Sequence, residues 1–442
     1  MKKDIVLFVN AVRPATFAAL RRFKKETRRE LTPLVIVDQK IQDSIAKRNG
    51  QKQNASEVSV ISADFDSAAS IMDALRPYMD RILAVTSQYE NSITELQKLV
   101  PYLPYIPMPT ELSLEWATEK KLMRQMMEVY DPTLVPRYME VTNNSDTTLD
   151  KIEAHIQYPM VIKPSGLEGS LLVSWAKDRD ELKKIIARTS RGMQKAYDIW
   201  IKRQKPAMLV EAFMRGDMYS IDTYIAADGT CRHTPPVRVV TGREIGFDDF
   251  FGYMRITPTE LSAQDIADAE TAATKACHAV GLRSVTAHVE LMKVAEGWKI
   301  IELGPRIGGW RHEMYSLTYG MNHIVNDILN RAGEEPVIPR EPLSHTAMFN
   351  IYASHEGILD GIDGVETVKQ LESFISLEQA IEVGEPVSFA KNNGDPVFEV
   401  TLNNTDRARL EDDIKAMEQT LVMHVGEAAD LPVQTNATAL NQ

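Results

Sequence analysis

The chain has 442 residues, which at about 100–200 residues per domain predicts two to four domains. Its 62 acidic residues outnumber 50 basic ones for a net charge of −12, which argues against a general affinity for nucleic acid, and no apolar run approaches the roughly 20 residues needed to span a bilayer. Only Cys231 and Cys277 are present, so neither a disulfide framework nor a zinc-ligand pattern is available.

The amino terminus, MKKDIVLFVNAVRP, is charged and then briefly apolar, which reads as a first buried strand and not a secretory leader. Cytoplasmic residence, with no membrane partner, is the expectation. PATFAALRRFKKETRR follows as a helix and PLVIVDQ as a second strand; VSVISADF, SAASIMDALRPYM, RILAVTSQ and NSITELQKLVPYL repeat the strand–helix grammar. Apolar strands alternating with amphipathic helices predict a doubly wound parallel α/β domain. No glycine-rich dinucleotide or P-loop motif follows the first strand. The basic run RRFKKETRRE (21–30) reads as the solvated face of a helix whose apolar side carries Phe17, Leu20 and Phe23; an anion-binding face is the alternative.

YLPYIPMPT (102–110) punctuates the chain. A single helix is expected through ELSLEWATEKKLMRQMMEVY, after which strands and hairpins predominate and predict an α+β region. VIKPSGLEGSLLV (161–173) ends a strand on Lys163 and continues into a loop with Gly169 and Ser170 that could fold over phosphates. MLVEAFMRGD (208–217) ends a buried-looking strand on Glu211, a carboxylate that could accept from an exocyclic amine or be salt-bridged. RVVTGREIGFDDFFGYM (238–254) could close over a substrate or be a surface excursion.

HVELMKVAEGWKIIELGPRIGG (288–309) reads as a hairpin. A turn centred on Glu296 sets Glu290 opposite Glu302, Met292 opposite Ile300 and Val294 opposite Trp298. Like charges directly opposed destabilise a sheet, unless a hard divalent cation sits between them, since Mg²⁺ pairs one or two carboxylates with substrate phosphates. Neutralisation by Arg283, Arg306 or a lysine is the other solution. Arg306, with the bare backbone of Gly308 and Gly309 beside it, adds an anion-binding fork. Arg311 and His312 could bind a substrate carboxylate or take a proton from an amine, and could equally be structural.

The order of these pieces resembles the ATP-grasp carboxylate–amine ligases, in particular the L-amino-acid-ligase branch: a helix lysine, a Lys-Pro strand with a Gly/Ser loop, a Val-Glu hinge strand, two metal glutamates and an arginine. The resemblance implies an amino-terminal α/β domain (1–105), a linker helix and small nucleotide-covering subdomain (106–205), a large catalytic subdomain (206–335) and a small C-terminal subdomain (336–428), before a tail (429–442) of disordered composition. It implies that Lys120, or its neighbour Lys121, and Lys163 contact ATP, with Gly169 and Ser170 over the phosphates. Glu211, with the Ala212 and Met214 backbones, would take the adenine, and Asp217 would stand in for a ribose-binding acid two positions after the hinge glycine, where Met218 lies. Glu290 and Glu302 would hold Mg²⁺ or Mn²⁺, and Arg306 would steady the transferring phosphoryl group. Gly304 occupies the place of an Asn that the family often uses on the metal. The implied reaction joins a small-molecule acid and amine through an acyl phosphate, and the resemblance leaves room for a homodimer. Carboxylation, acid–thiol ligation, or a nucleotide-binding regulator without turnover are the alternatives.

Overall fold

The computed structural model describes residues 3–40, 58–167, 169–199 and 205–427; the tail expected to be disordered lies outside them. Strands Ile5–Val9, Thr32–Asp38, Ser59–Ala63 and Ile82–Thr86 form a wholly parallel amino-terminal sheet, ordered third, second, first, fourth. Val6, Leu7 and Phe8 are completely buried, as continuous apolar strands covered on both faces must be. The first helix, Pro14–Thr27, starts on a proline and buries Thr16, Ala19, Leu20 and Phe23, which leaves the basic run largely outward. Two of its arginines reach further: Arg22 donates to the Gly320 carbonyl and Arg29 pairs with Glu334.

Strands Tyr138–Val141, Met208–Ala212, Met160–Pro164 and Ser174–Ala176 form a second, antiparallel sheet, here the covering sheet. It includes Met208–Ala212, beyond the boundary expected at 205. Helices Asp146–His155 and Arg179–Ile199 back it, burying Leu149, Ile152, Leu182 and Ile186.

Among the described residues, the central sheet has nine strands. Gly297–Gly304, Val285–Val294, Gly216–Ile225, Val237–Thr241 and Gly252–Thr257 run on into His345–Ile351, Phe398–Asn404 and Phe374–Gln379, while Cys231–His233 pairs beside Gly216–Ile225. Strands expected in a separate C-terminal subdomain therefore continue the central sheet, and a three-stranded sheet (Pro386–Val387, Gly357–Asp363, Val422–Gly426) packs beyond it.

Two local expectations change. The single helix through 111–130 is two, Glu111–Thr118 and Lys120–Tyr130, broken at an extended Glu119. At the break the amides of Lys120 and Lys121 donate to the Ser165 carbonyl (3.1 Å) and hydroxyl (2.8 Å), so the KPS turn supplies acceptors that the first turn of a helix lacks. The hairpin register is 294↔297, 292↔299 and 291↔300 near the turn, one residue off the expected pairing. A bulge after Glu290 absorbs Ile301, and beyond it Glu290 faces Glu302 as expected. An extra residue in one strand restores the parity that a shorter turn had shifted.

Helix His323–Arg331 is buried along its whole length. Ile324, Val325, Ile328 and Leu329 pack on Val6, Phe8, Val35 and Ala84 of the amino-terminal sheet. From the same helix, Asn330 donates to the Ile225 and Val285 carbonyls of the central sheet (3.1 and 3.2 Å). Asp327 accepts from Thr86 (2.8 Å) and Arg331 (2.9 Å). This helix is thus a wall shared by the two sheets. Among the described residues no helix is long and apolar enough to cross a membrane.

Candidate active site

The covering sheet, the edge of the central sheet and the loops of the amino-terminal sheet enclose one large cavity of about 1870 Å³. That exceeds the roughly 300–1,000 Å³ of a single small-molecule site, so it has room for more than one ligand. Lys120, Lys163, Gly169, Ser170, Glu211, Ala212, Met214, Glu290, Glu302, Arg306, Gly309, Arg311 and His312 all line it.

Lys163 enters from the covering sheet and pairs with Glu211 at 2.8 Å. Arg124, fully buried, grips the same carboxylate with Nε at 2.8 Å and Nη2 at 3.2 Å, and donates to the Ile301 carbonyl at 2.6 Å. Burial alone would raise the Glu211 pKa, but the two cations outweigh it and hold it at about 2. Burial is likewise the largest influence on Lys163, bringing its ammonium down to about 8 despite Glu211. The Glu211 carboxylate, read as an adenine acceptor, therefore serves two buried cations.

Lys120 is the first residue after the helix break and the cleft-facing member of its pair. Its Nζ meets Glu302 at 2.9 Å and the Leu167 carbonyl at 2.6 Å, whereas Lys121 turns away to Glu140. Glu302 is held below the usual carboxylate range: burial raises it, and Lys120 more than compensates. The opposed glutamates thus use a lysine on one member and leave Glu290 beside His288, whose Nε2 lies 3.5 Å away.

The phosphate-loop candidate turns sharply: Gly169 and Ser170 both have left-handed φ, 66° and 61°. For a serine that conformation costs of order 1 kcal/mol, the kind of strain concentrated at ligand loops. Along the hinge, the Ala212 amide already donates to Arg137 and that of Phe213 to Pro159. Asp217 does not line the cavity; its carboxylate is exposed and paired with Arg238 at 2.9 Å, while Met218 points inward. Strand alternation sends neighbours to opposite faces, which removes Asp217 as a ribose ligand.

Arg306 is bound through Nε to Glu90 at 2.9 Å, a residue of the amino-terminal unit. A Cβ at position 304 would lie 2.5 Å from the Glu90 Oε2, so Gly304 makes room for this carboxylate. Gly308 is equally constrained: its amide donates to Asp222 at 2.7 Å, and a Cβ would strike Arg311 and His288. Asp222 is wholly buried, accepts from His288 and His323 at 2.6 Å each, and is held far below its ordinary pKa: burial opposes this, and the two histidines prevail. Arg311 is buried and donates to Ser220 (2.7 Å) and Gly309 (3.2 Å), which makes it an organiser of the glycine turn. Burial pushes His312 down to about 4, aided by nearby cations, so its ring is neutral. Arg13, Glu90, Arg124, Asp222, His288 and His323 carry no local motif and were not legible in the sequence.

Residues 156–313 match the model of the ATP-grasp domain. The chain has the ATP-grasp fold. An uncharacterized protein of Sinorhizobium fredii (strain NBRC 101917 / NGR234), y4rH, is 24% identical over 71% of this chain, and the match spans 62% of that relative's length. Among solved structures, an L-amino acid ligase from Bacillus licheniformis superposes with a TM-score of 0.75 at 17% identity, covering 97% of this chain and 100% of that one. N5-carboxyaminoimidazole synthetase from Staphylococcus aureus, solved with ADP, gives 0.62 at 14% identity, covering 94% and 97%. These likenesses establish the ATP-grasp fold, and ADP-forming ligases and carboxylases share it.

The ATP-grasp cavity fits a nucleotide and its cation on its own chemistry. Two lysines and five arginines line it, and among the described residues no three His, Cys, Asp or Glu side chains gather to hold a metal alone. Two opposed carboxylates that need further oxygens suit Mg²⁺ shared with phosphates.

Proposed function

We propose that the protein is an ATP-dependent carboxylate–amine ligase, acting on amino acids or other small metabolites in the cytoplasm and releasing ADP and phosphate. The observation that carries this reading is Glu290 facing Glu302 across the hairpin, with Lys120 on Glu302 and Arg306 in the same cavity. A substrate carboxylate attacks the γ-phosphate of ATP, giving an acyl phosphate and ADP. An amine then attacks the acyl carbon, phosphate leaves, and an amide forms. A free carboxylate is a poor electrophile, and the phosphoryl group supplies its leaving group.

In this reading Lys163 and Lys120 neutralise phosphate charge, with Gly169 and Ser170 turning over the phosphates. Ala212 and Met214 border the base, and Glu211 fixes Lys163 in place. Glu290 and Glu302 would hold Mg²⁺, which stabilises the charge developing on the transferred phosphoryl oxygens. Arg306, oriented by Glu90, steadies that group and then the acyl phosphate. Asp222 locks Gly308 and, through His288, the wall beside Glu290.

The test is ADP release from Mg·ATP with paired amino acids and small carboxylic acids, followed by product mass. ADP that requires both an acid and an amine, with a condensed mass, supports ligation. Turnover stimulated by bicarbonate or a thiol in place of the amine would replace this reading with carboxylation or acid–thiol ligation. Nucleotide binding without ADP under any pairing would replace it with a regulator.

A further inference from the structure

Away from the opposed glutamates, the cavity is walled by the turn after the first strand of the amino-terminal sheet: Arg13, Pro14 and Ala15 line it together with Tyr89, Arg306 and His312. Arg13 is firmly set. Its amide donates to Gln88 Oε1 and its Nη2 to the Gln88 carbonyl, both at 2.8 Å, and its guanidinium lies 5.3 Å from the Tyr89 ring centroid. Among the described residues no carboxylate lies within ion-pair distance of it. Glu90, on the adjacent loop, is engaged with Arg306. Burial, and then repulsion from Arg306, bring the Arg13 guanidinium down to about 10. Arg13 is half-buried, and a partly desolvated cation facing another cation is costly unless an anion joins them.

Three further features point the same way. Arg13 is the N-cap of helix Pro14–Thr27, which has no side-chain cap and no acidic residue in its first turn. The positive end of that helix, at Pro14 and Ala15, therefore borders the cavity; Pro14 carries no N–H and the Thr16 amide already donates to the Arg13 carbonyl, so the Ala15 amide is the one this turn offers an anion. The buried Nδ1 of the neutral His312 ring has no hydrogen-bond partner among the described residues.

We propose that Arg13, with the amino end of helix Pro14–Thr27 and with Arg306 and His312, forms a subsite for an anionic group of the substrate, a carboxylate or phosphate monoester distinct from the carboxylate being activated. The substrate accordingly bears two acidic groups: one reacts beside the glutamates, and the other anchors the molecule on the amino-terminal unit. This rests on the reading that Mg·ATP occupies the space between the covering and central sheets. It adds that the amino-terminal sheet, which has no phosphate-binding sequence motif, still presents a cationic cradle.

The experiment titrates inorganic phosphate and succinate, in separate arms, into the full chain saturated with Mg·ADP, following heat or melting temperature. Arg13→Gln and Arg13→Lys are run beside the wild type. Saturable binding that weakens about tenfold or more in Arg13→Gln, as loss of one charged hydrogen-bonding partner implies, and is partly restored in Arg13→Lys, supports the subsite. Phosphate alone identifies a phosphorylated substrate, and succinate alone a dicarboxylate. Unchanged Mg·ADP affinity in both variants shows that they fold and that the nucleotide site is separate. Equal anion affinity in wild type and Arg13→Gln, or no binding of either anion by the wild type at millimolar concentration, overturns the subsite. If the wild type fails to bind Mg·ADP, the ligase reading falls, and the same titrations without nucleotide still decide the role of Arg13.

Discussion

The covering sheet and the central sheet each set a glutamate against a lysine, with opposite outcomes. Glu211 has a side chain 3% exposed, gripped by Arg124 and Lys163. Glu302 has a side chain 31% exposed, has Lys120 alone as an ion-pair partner among the described residues, and faces a second carboxylate across the strand. A sealed, fully paired carboxylate organises cations; an open one beside a like charge has oxygens left for a ligand. The same residue types thus divide into framework and working surface according to how many partners the fold supplies.

Breaking the sealed pair is expected to cost most. Arg124→Ala leaves Glu211 with Lys163 alone in a dry site, and a stability loss of about 3–5 kcal/mol is expected, read from a urea or thermal melt. If the loss is under about 1 kcal/mol, the contrast between sealed and open carboxylates is wrong. On the open side, Glu302→Gln should melt close to wild type but lower ADP formation by about 10²–10³-fold, the range seen when one preorganised electrostatic contact is removed. Gly304→Ala lies between the two: its Cβ would displace Glu90 from beside Arg306, with about 1–3 kcal/mol of overpacking and reduced turnover. Restored turnover in the double variant with Glu90→Ala would mean that relief of the clash matters and that the Glu90–Arg306 pair does not.

The pKa values sharpen the contrast through pH. With Lys163 depressed to about 8, the nucleotide-free protein loses that charge above this pH, and anion binding must first restore it. Affinity for Mg·ATP should therefore fall by up to about tenfold per pH unit above 8. Lys163→Arg, which stays charged, should flatten that limb. Glu211 contributes in the other direction: its folded pKa, near 2, is lower than its ordinary 4.5. The stability it adds is present in full above about pH 4.5 and is lost as the pH falls toward 2. The smallest effect is expected at Lys121, whose pair with Glu140 is surface-exposed. Lys121→Ala should change stability by about 0.5 kcal/mol or less, in contrast to its neighbour Lys120.

What could be read from the sequence was what repeats locally. The alternation of apolar strands and amphipathic helices gave the parallel sheet. The hairpin from 288 to 304 brought Glu290 to Glu302 because strand parity needs only a turn and an apolar pattern. The bulge at Ile301 escaped, since a shift of one residue leaves composition unchanged. The helix break at Glu119 escaped because its cause, Ser165, lies 46 residues downstream. Arg124 meets Glu211 across 87 residues and His323 meets Asp222 across 101, separations over which no periodicity carries information. Asp217 was misplaced for a related reason: the position two after the hinge glycine belongs to the inward face, and the chain has a methionine there.

The helix His323–Arg331 bears on how far this protein can be taken apart. Its apolar side is covered by the amino-terminal unit, through Val6, Phe8, Val35 and Ala84 of the sheet and Ala19, Leu20 and Phe23 of the first helix. A chain beginning near residue 106 would lose Arg13 and Glu90 from the site but keep the opposed glutamates and both lysines, yet would bare Ile324, Val325, Ile328 and Leu329 to water, together with the Asp327 carboxylate that now accepts from Thr86. The amino-terminal unit is therefore not an appendage to be trimmed or exchanged. It completes the core of its neighbour, and a minimal folded version of the chain has to include it.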